Sequence, residues 1–449
     1  MPSPLAVARN LLRDTFGHVE FRPLQARIIH HVLCGRDVLA VLPTGGGKSL
    51  CFQIPALTAG RLTVVVSPLI ALMQDQVAAL TKRGIAAAAI NSDCEPSEQA
   101  ARIADAASGR IRLLYVSPER LPRLAQELRT HGAHTARLAV DEAHCIVEWG
   151  HDFRPAYRAL RRAREALGDP PCIAVTGTAT PDVRREIARS LGFGRDAREI
   201  VGSFDRPNLR FDVVPVTCHD ERLSRLARLV ANAGGASIVY APTRSVVESI
   251  ARTLTERGLA ASPYHAGMTA HERATVLHRF LDEPAPVIVA TCAFGMGIDK
   301  ASVRLVAHWT IPATPESYYQ EAGRAGRDQA PARCVLFHHP RDADLPRRHL
   351  GATFPPERLL ERLWREPALR HRQPARIVAS ADRLAAELRP DRGAVDWARV
   401  RRRRREASRR LDLMIAYAGG RRCRRRVLLG WFGEAVDRCN QCDRCSPAR

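Results

Sequence analysis

Lysine is almost missing from this chain of 449 residues, since only three of its 69 basic residues are lysine. Abundant arginine and alanine are typical of GC-rich coding, so the arginine excess alone says little about function. The basic residues outnumber 47 acidic ones, which gives a formal net charge of +22. Part of this charge is concentrated in residues 401–426, where Glu406 and Asp412 are the only acidic residues. A concentrated positive charge indicates a polyanionic partner.

Long apolar runs are also lacking. No stretch reaches the roughly 20 residues that a membrane-spanning helix needs, and the first residues lack the apolar core of a secretory signal. The twelve cysteines do not form a disulfide scaffold, because eight are scattered and only four lie close together near the end. These absences predict a cytoplasmic protein without a membrane partner.

Short β-branched runs alternate with helical stretches along most of the chain, a pattern typical of buried parallel strands in α/β domains. The runs pause at the segment DRPNL (205–209), which suggests a hinge between two doubly wound parallel-sheet lobes with a cleft between them. We expect lobes over 1–205 and 206–340, and a helical region with a cysteine module over 341–449. The predicted strands cover residues 38–43, 62–68, 111–118, 137–144, 172–180, 236–242, 286–293, 303–309 and 334–340.

A glycine-rich turn follows the first predicted strand in VLAVLPTGGGKSL (38–50). Glycines allow backbone N–H groups to close on phosphate oxygens. Lys48 would supply a compact charge to the β- and γ-phosphates, and Ser49 would bind Mg²⁺. The strict phosphate-loop pattern has glycine where Leu42 stands. However, a chain that uses arginine almost everywhere keeps lysine here, where a planar guanidinium would not fit. The predicted nucleotide-binding loop comprises Thr44, Gly45, Gly46, Gly47, Lys48 and Ser49.

An acidic pair, Asp141 and Glu142, follows another predicted strand. Asp141 would hold Mg²⁺, and Glu142 would position or deprotonate the attacking water. Alone, such a pair is more often a solvated turn, but its place after a strand and a phosphate loop favours catalysis. Arg324 and Arg327 would stabilise charge on the γ-phosphate as arginine fingers. The alternative for these two arginines is a basic surface helix.

Taken in order, these motifs resemble the RecQ family of superfamily 2 DNA helicases. The resemblance implies two tandem RecA-like lobes followed by a small α-helical zinc-binding module. It further implies an ATP-dependent enzyme that moves 3′ to 5′ on DNA and unwinds it in recombination and repair, near the nucleoid if the source is bacterial. The motifs are FRPLQARII (21–29), PTGGGKS (43–49), SPLIALMQDQV (67–77), DEAHCIVEWGHDFRP (141–155), TGTAT (176–180), SFDRPN (203–208), YHAGM (264–268), VATCAFGMGIDK (289–300) and YYQEAGRAGRD (318–328).

The resemblance also assigns residues. Gln25 is similar to the glutamine that reads adenine, Arg22 to the residue that packs on its ring, and Gln320 joins the two arginines among the catalytic residues. The segment after DEAH would couple single-stranded DNA to ATP hydrolysis, because aromatic rings stack on any base and arginine adds charge. Packing of the aromatic residues in a core is the alternative. The coupling residues are Trp149, His151, Phe153 and Arg154.

Four cysteines close the sequence: Cys423, Cys439, Cys442 and Cys445. Thiolates at this spacing predict a closed tetrahedral Zn²⁺ site, with an iron–sulfur cluster as the alternative. The neighbouring arginines suit DNA phosphates, although Arg401–Arg405 could equally be a solvated helix face.

The expected cofactors are ATP, Mg²⁺ and Zn²⁺, and the expected partner is DNA, single-stranded or as a tailed or forked duplex. Because the sequence stops four residues after Cys445, the resemblance predicts a short form without the winged-helix and helical accessory domains. Two other functions stay open at this point: an RNA helicase of superfamily 2, and a DNA-binding or annealing protein with weak unwinding.

Overall fold

The computed structural model describes residues 3–43, 45–147, 157, 159–295, 300–388 and 395–446. The chain forms two compact units, Met1–Phe204 and Asp205–Arg449. Each contains one parallel sheet, which confirms the α/β class and the two doubly wound lobes.

The first unit contains a seven-stranded sheet in the order β3-β4-β2-β5-β6-β1-β7. All of its strand pairs are parallel. The interior strands are short and almost entirely buried, because helices cover both faces of such a sheet. The strands are β1 Val38–Val41, β2 Leu62–Val66, β3 Ala87–Ile90, β4 Leu113–Val116, β5 Thr135–Val140, β6 Cys172–Thr176 and β7 Arg198–Val201.

The helices of this unit pack around that sheet. Several begin with proline in the first turn, where the missing N–H group has no helical partner to lose. The helices are α1 Pro4–Phe16, α2 Pro23–Leu33, α3 Leu50–Ala59, α4 Ile70–Thr81, α5 Pro96–Ala107, α6 Leu121–Thr130, α7 Leu160–Ala166 and α8 Pro181–Ser190, with a 3₁₀ turn at Ala143–Ile146.

The second unit contains a six-stranded parallel sheet in the order β10-β11-β9-β12-β13-β8. Its strands are β8 Leu209–Pro215, β9 Ala236–Tyr240, β10 Ala261–Tyr264, β11 Val287–Ala290, β12 Val303–His308 and β13 Ala332–His338. Four helices connect them: α9 His219–Ala231, α10 Arg244–Glu256, α11 Ala270–Asp282 and α12 Pro315–Ala322.

A helical region completes the second unit. Residues of α16 and α17 belong to the same apolar core as the second sheet, including Leu411, Met414, Tyr417 and Leu428. The helices are α13 Asp344–Thr353, α14 Glu357–Arg365, α15 Ala375–Leu388, α16 Trp397–Gly419 and α17 Arg424–Trp431, with 3₁₀ turns at Pro340–Ala343 and Pro367–Arg372.

The cysteine module contacts the second sheet at β8, the outermost strand at one end of that sheet. The Phe211 N–H group donates to the Gln441 carbonyl at 3.1 Å, and the Asp443 N–H group donates to the Phe211 carbonyl at 3.3 Å. A parallel bridge therefore joins β8 to Cys442.

All nine predicted strands are present, and residues 341–449 contain helices as the sequence predicts. Four further strands were not predicted: β3, β7, β8 and β10. Each of the four is the outermost strand at one end of its sheet. Among the described helices, none combines the length and the apolar character that a bilayer crossing requires.

Candidate nucleotide and zinc sites

The glycine-rich turn lies between β1 and the start of α3. Gly47 has φ +72°, a conformation that side chains rarely adopt, and a Cβ atom there would overlap the Gln25 amide nitrogen. A Cβ atom on Gly46 would lie 2.8 Å from the Pro43 carbonyl oxygen. Both positions therefore require glycine.

Two residues predicted to bind the nucleotide hold this turn from the side. The Gln25 amide donates to the Gly46 and Gly47 carbonyls, each at 3.2 Å, and accepts from the Arg22 N–H group at 2.9 Å. The Arg22 guanidinium donates to the Gly45 carbonyl. Gln25 is buried, so the glycine-rich turn and the start of α2 form one hydrogen-bonded structure.

Ser49 ends the turn and belongs to a network that the sequence did not predict. The Gln76 amide donates to Ser49 Oγ at 2.9 Å, and the Gln53 amide donates to Gln76 Oε1 at 2.7 Å. The Gln53 amide also donates to the Tyr115 hydroxyl at 3.3 Å. Glutamines within the apolar segments 51–57 and 70–80 were the available signal, since a buried amide needs partners.

The acidic pair follows β5 at the carboxyl ends of the parallel strands, where β1 also ends. Asp141 is buried. Burial and the neighbouring Glu142 carboxylate raise the pKa of Asp141, whereas Lys48 acts in the opposite direction. Lys48 in the glycine-rich turn is thus close enough for its positive charge to act on Asp141. A desolvated carboxylate is stabilised when a cation binds to it, so this residue suits the Mg²⁺ role.

Glu142 is one of the few non-glycine residues in the left-handed region, with φ 47°. Strain of this kind is concentrated at functional sites. Its Oε2 atom lies 3.2 Å from Nδ1 of His144, and the same nitrogen lies 2.8 Å from the Thr176 hydroxyl. The buried His144 therefore links the acidic pair to the first residue of the TGTAT motif.

In the second unit, Arg324 and Arg327 lie in a turn after α12 that we call the arginine turn (Gly323–Ala330). Both arginines and Gln320 are half-buried. The Arg324 guanidinium donates to the Gly295 carbonyl. The structure thus brings the three predicted residues of this segment together at the end of one helix.

Two residues of the predicted hinge segment hold the arginine turn. The buried Arg206 guanidinium donates to the carbonyls of Gly323 at 3.3 Å, Ala325 at 3.1 Å and Gly326 at 2.6 Å. The Asn208 amide donates to the carbonyls of Gly326 at 2.8 Å and Ala330 at 3.0 Å. The segment is thus anchored within the second unit, a role that the sequence analysis missed.

The four cysteines of the tail form one cluster, in which all four sulfur atoms lie within 4.8 Å of one another. The sulfurs of Cys423 and Cys442 are 3.9 Å apart. Tetrahedral Zn²⁺ with bonds of about 2.3 Å separates its sulfur ligands by about 3.8 Å. Burial acts to raise the pKa of Cys442, but N–H groups from Arg424, Cys445 and Arg444 outweigh it and lower that pKa to about 7. The cluster therefore fits a thiolate-bound metal.

Two buried arginines tie this cluster to the rest of the second unit. The Arg424 guanidinium donates to both carboxylate oxygens of Asp443, at 2.9 and 3.0 Å. The Arg425 guanidinium pairs with Asp205 and donates to the Leu209 carbonyl at 2.7 Å. The segment that holds the arginine turn therefore also holds the cysteine module.

Five of the predicted site residues lie outside the described residues: Thr44, Trp149, His151, Phe153 and Arg154.

Three family models match successive parts of the chain. A DEAD/DEAH box helicase model matches residues 22–187, a helicase conserved C-terminal domain model matches 221–329, and a RecQ zinc-binding model matches 389–446. The third match includes all four cysteines, which identifies their cluster as a zinc site and not an iron–sulfur site.

The chain is 38% identical over 440 residues to the ATP-dependent DNA helicase RecQ of Haemophilus influenzae, covering 98% of this chain and 63% of that protein. It is 36% identical over 445 residues to the corresponding protein of Bacillus subtilis, covering 98% of this chain and 67% of that protein. The chain thus spans about two thirds of these relatives. The solved structure of Mycobacterium smegmatis helicase Lhr bound to ssDNA and AMP-PNP is similar with a TM-score of 0.59 and 25% identity, covering 81% of this chain and 50% of that one.

Proposed function

Because this chain belongs to the RecQ family, we propose that it is an ATP-dependent DNA helicase that moves 3′ to 5′ on single-stranded DNA and unwinds tailed or forked duplexes. The observation that carries the proposal lies at the carboxyl ends of β1 and β5, where a hydrogen-bonded glycine turn follows one strand and the buried Asp141 with Glu142 follows the other. We also propose a cytoplasmic location, at the nucleoid if the source is bacterial, because the proposed substrate is DNA.

In the first unit, the backbone N–H groups of the glycine-rich turn and Lys48 would bind the phosphates of ATP. Ser49 and Asp141 would hold Mg²⁺, which neutralises phosphate charge when bound. Glu142 would orient and deprotonate the attacking water, and His144 would keep the Glu142 carboxylate in place. The strained backbone of Glu142 supports such fixed orientation.

In the second unit, we assign Gln320, Arg324 and Arg327 to the hydrolysis of ATP. Arginine side chains that stabilise phosphate charge must be held in place, since their effect depends on preorganisation. Arg206 and Asn208 would provide that support as positioning residues. We also assign Trp149, His151, Phe153 and Arg154 to the coupling of single-stranded DNA with hydrolysis.

The test is ATP turnover with and without single-stranded DNA. We expect DNA to stimulate hydrolysis, Lys48→Ala to abolish it, and Glu142→Gln to retain nucleotide binding while losing turnover. Lys82→Ala is the matched control, because Lys82 is an exposed lysine of the same unit and its loss should leave turnover unchanged.

Comparison of single-stranded DNA with single-stranded RNA identifies the substrate. Stimulation by RNA alone would contradict the proposal in favour of an RNA helicase. DNA binding without any ATP turnover would contradict it in favour of a binding or annealing protein.

A further inference from the structure

The arginines in the first half of α16, up to Arg405, fall into two groups. Those of the first group are neutralised within the unit by carboxylates of other helices. Arg401 pairs with Glu357 at 3.0 Å, and Arg399 and Arg403 both pair with Glu387. The buried Glu387 side chain thus receives two guanidinium groups. These arginines join α16 to α14 and α15, and their role is structural.

The second group faces solvent. Arg402, Arg404 and Arg405 are exposed, and in the described part of the chain no ion pair or hydrogen bond of their side chains is found. On α14, which the Arg401–Glu357 pair joins to α16, Arg358, Arg362 and Arg365 are exposed too, and Arg362 lies 3.8 Å from the exposed Glu366. Their spacing of four and three residues places them along one side of that helix. We call these six arginines the basic face.

The exposed arginines of α16 do not serve the stability of their own helix. Asp396 caps this helix by accepting from the Arg399 N–H group at 3.0 Å, and the exposed Arg402, Arg404 and Arg405 follow its first turn. Like charges three residues apart on a helix, such as those of Arg402 and Arg405, repel each other and destabilise the helix. Such a cluster suggests that a partner supplies the missing negative charge.

Packing contacts at both ends of α16 hold the basic face in a fixed position. The second half of α16 is buried in the core of the second sheet through Leu411, Met414 and Tyr417. At the other end, the rings of Trp364 and Trp397 stack with centroids 5.6 Å apart and planes 15° apart. The Trp364 indole donates to the Ala381 carbonyl at 3.0 Å. Both tryptophans are thereby occupied within the protein and do not offer a free ring to a base.

We propose that the basic face binds the phosphate backbone of double-stranded DNA. The proposal rests on the proposed action on DNA and adds a second contact surface. Duplex DNA presents one negative charge per about 1.7 Å, twice the density of a single strand. Charge without a free aromatic ring suits backbone contacts and not base stacking.

The basic face is largely separate from the matched helicase domains. Helices α14 and α15 lie between the residues matched by the second and third family models, 221–329 and 389–446. Of α14, α15 and α16, only α16 falls within the zinc-binding match. The surface is therefore partly built by a segment that those models do not include.

The test is the triple variant Arg402→Gln/Arg404→Gln/Arg405→Gln, since glutamine keeps the helix propensity and removes the charge. Binding of a short blunt duplex and of a single strand is measured by fluorescence anisotropy without ATP, between about 50 and 200 mM salt. Each lost phosphate contact lowers the salt slope by about 0.9, so three lower it by about 2.7. Over this salt range, the factor by which duplex affinity falls should then be about forty times larger for the wild-type protein than for the variant.

The control is Arg228→Gln/Arg252→Gln/Arg257→Gln, which removes the same charge from exposed arginines of the second unit. We expect this control to keep the duplex slope, and the test variant to keep its ATP turnover on single strands. Equal losses on duplex and single strand, no loss, or a loss matched by the control would overturn the proposal. Binding of polyglutamate with the same affinity as the duplex would also overturn the proposal. A protein without ATP turnover that still shows the slope change would refute the proposed function while supporting the basic face.

Discussion

Replacement of Arg206 by lysine tests whether the arginine turn must be held for catalysis. The guanidinium bridges three carbonyls of that turn, at 2.6, 3.1 and 3.3 Å. Lysine keeps the charge, but its single nitrogen cannot span carbonyls of Gly323 and Gly326 together. A hydrogen bond with a charged partner contributes about 1.5–3 kcal/mol. The loss of two such bonds therefore weakens the support by at least about 3 kcal/mol.

If this whole loss were expressed in the transition state, kcat would fall by about 150-fold, since 1.36 kcal/mol corresponds to a factor of ten. Relaxation of the turn reduces the effect, so we expect kcat to fall between about ten- and one hundred-fold. The KM for ATP should change little, because the nucleotide turn lies in the other unit. Steady-state ATP hydrolysis with saturating single-stranded DNA measures both constants.

Arg222→Lys is the matched control. Arg222 is equally buried in the second unit, where it donates to the Trp309 carbonyl at 2.8 Å and to Asp342 at 3.0 Å. Its replacement should lower the thermal stability similarly but leave kcat near the wild-type value. Wild-type turnover by Arg206→Lys, or an equal kcat loss in Arg222→Lys, would refute the positioning role.

Three further outcomes are expected. Gly47→Ala should weaken ATP binding, measured by calorimetry, by more than the roughly 1–2 kcal/mol that a left-handed alanine costs, because its Cβ atom displaces Gln25. Gly17→Ala is the control: Gly17 has φ +71° with open space around it, so this change carries the backbone cost alone and should leave ATP binding intact. Cys442→Ser should lower both the zinc content by metal analysis and the soluble yield; iron, or a full yield without metal, would contradict this. Trp149→Ala and Phe153→Ala should keep basal ATP hydrolysis and lose its stimulation by DNA, and unchanged stimulation would exclude coupling through these rings.

The strands that the sequence predicted and those it missed differ in their place in the sheets. Every predicted strand is an interior strand, buried on both faces, and such strands read as continuous apolar runs. The missed strands lie at the sheet ends, where only one side pairs with another strand of the sheet and the apolar pattern is less continuous. AAAI in β3 resembles a helix, and ASPY in β10 contains a proline, which edge strands tolerate. These edge strands are defined by hydrogen bonding to strands that are distant in the sequence, which a local pattern does not show.

The candidate sites divide in a similar way. The loop, the acidic pair and the four cysteines were predicted because each is a local pattern set by its own chemistry. Arg206 and Asn208 were missed because their partners lie more than one hundred residues later in the chain. Nothing in a local segment shows which distant carbonyls a buried guanidinium will meet. Motifs therefore indicate the reacting groups, and only the fold shows what holds them.

The bridge between Phe211 and the cysteine module has a consequence for the behaviour of the metal-free protein. Strand β8 ends its sheet, and the backbone of Gln441 and Asp443 occupies hydrogen-bonding groups on its open side. Uncovered strand edges are templates for pairing with other chains. Release of zinc would free the segment around Cys442 and expose β8 to a second molecule. Metal starvation should thus produce intermolecular β-structure and aggregation, which makes zinc a safeguard against self-association in this chain.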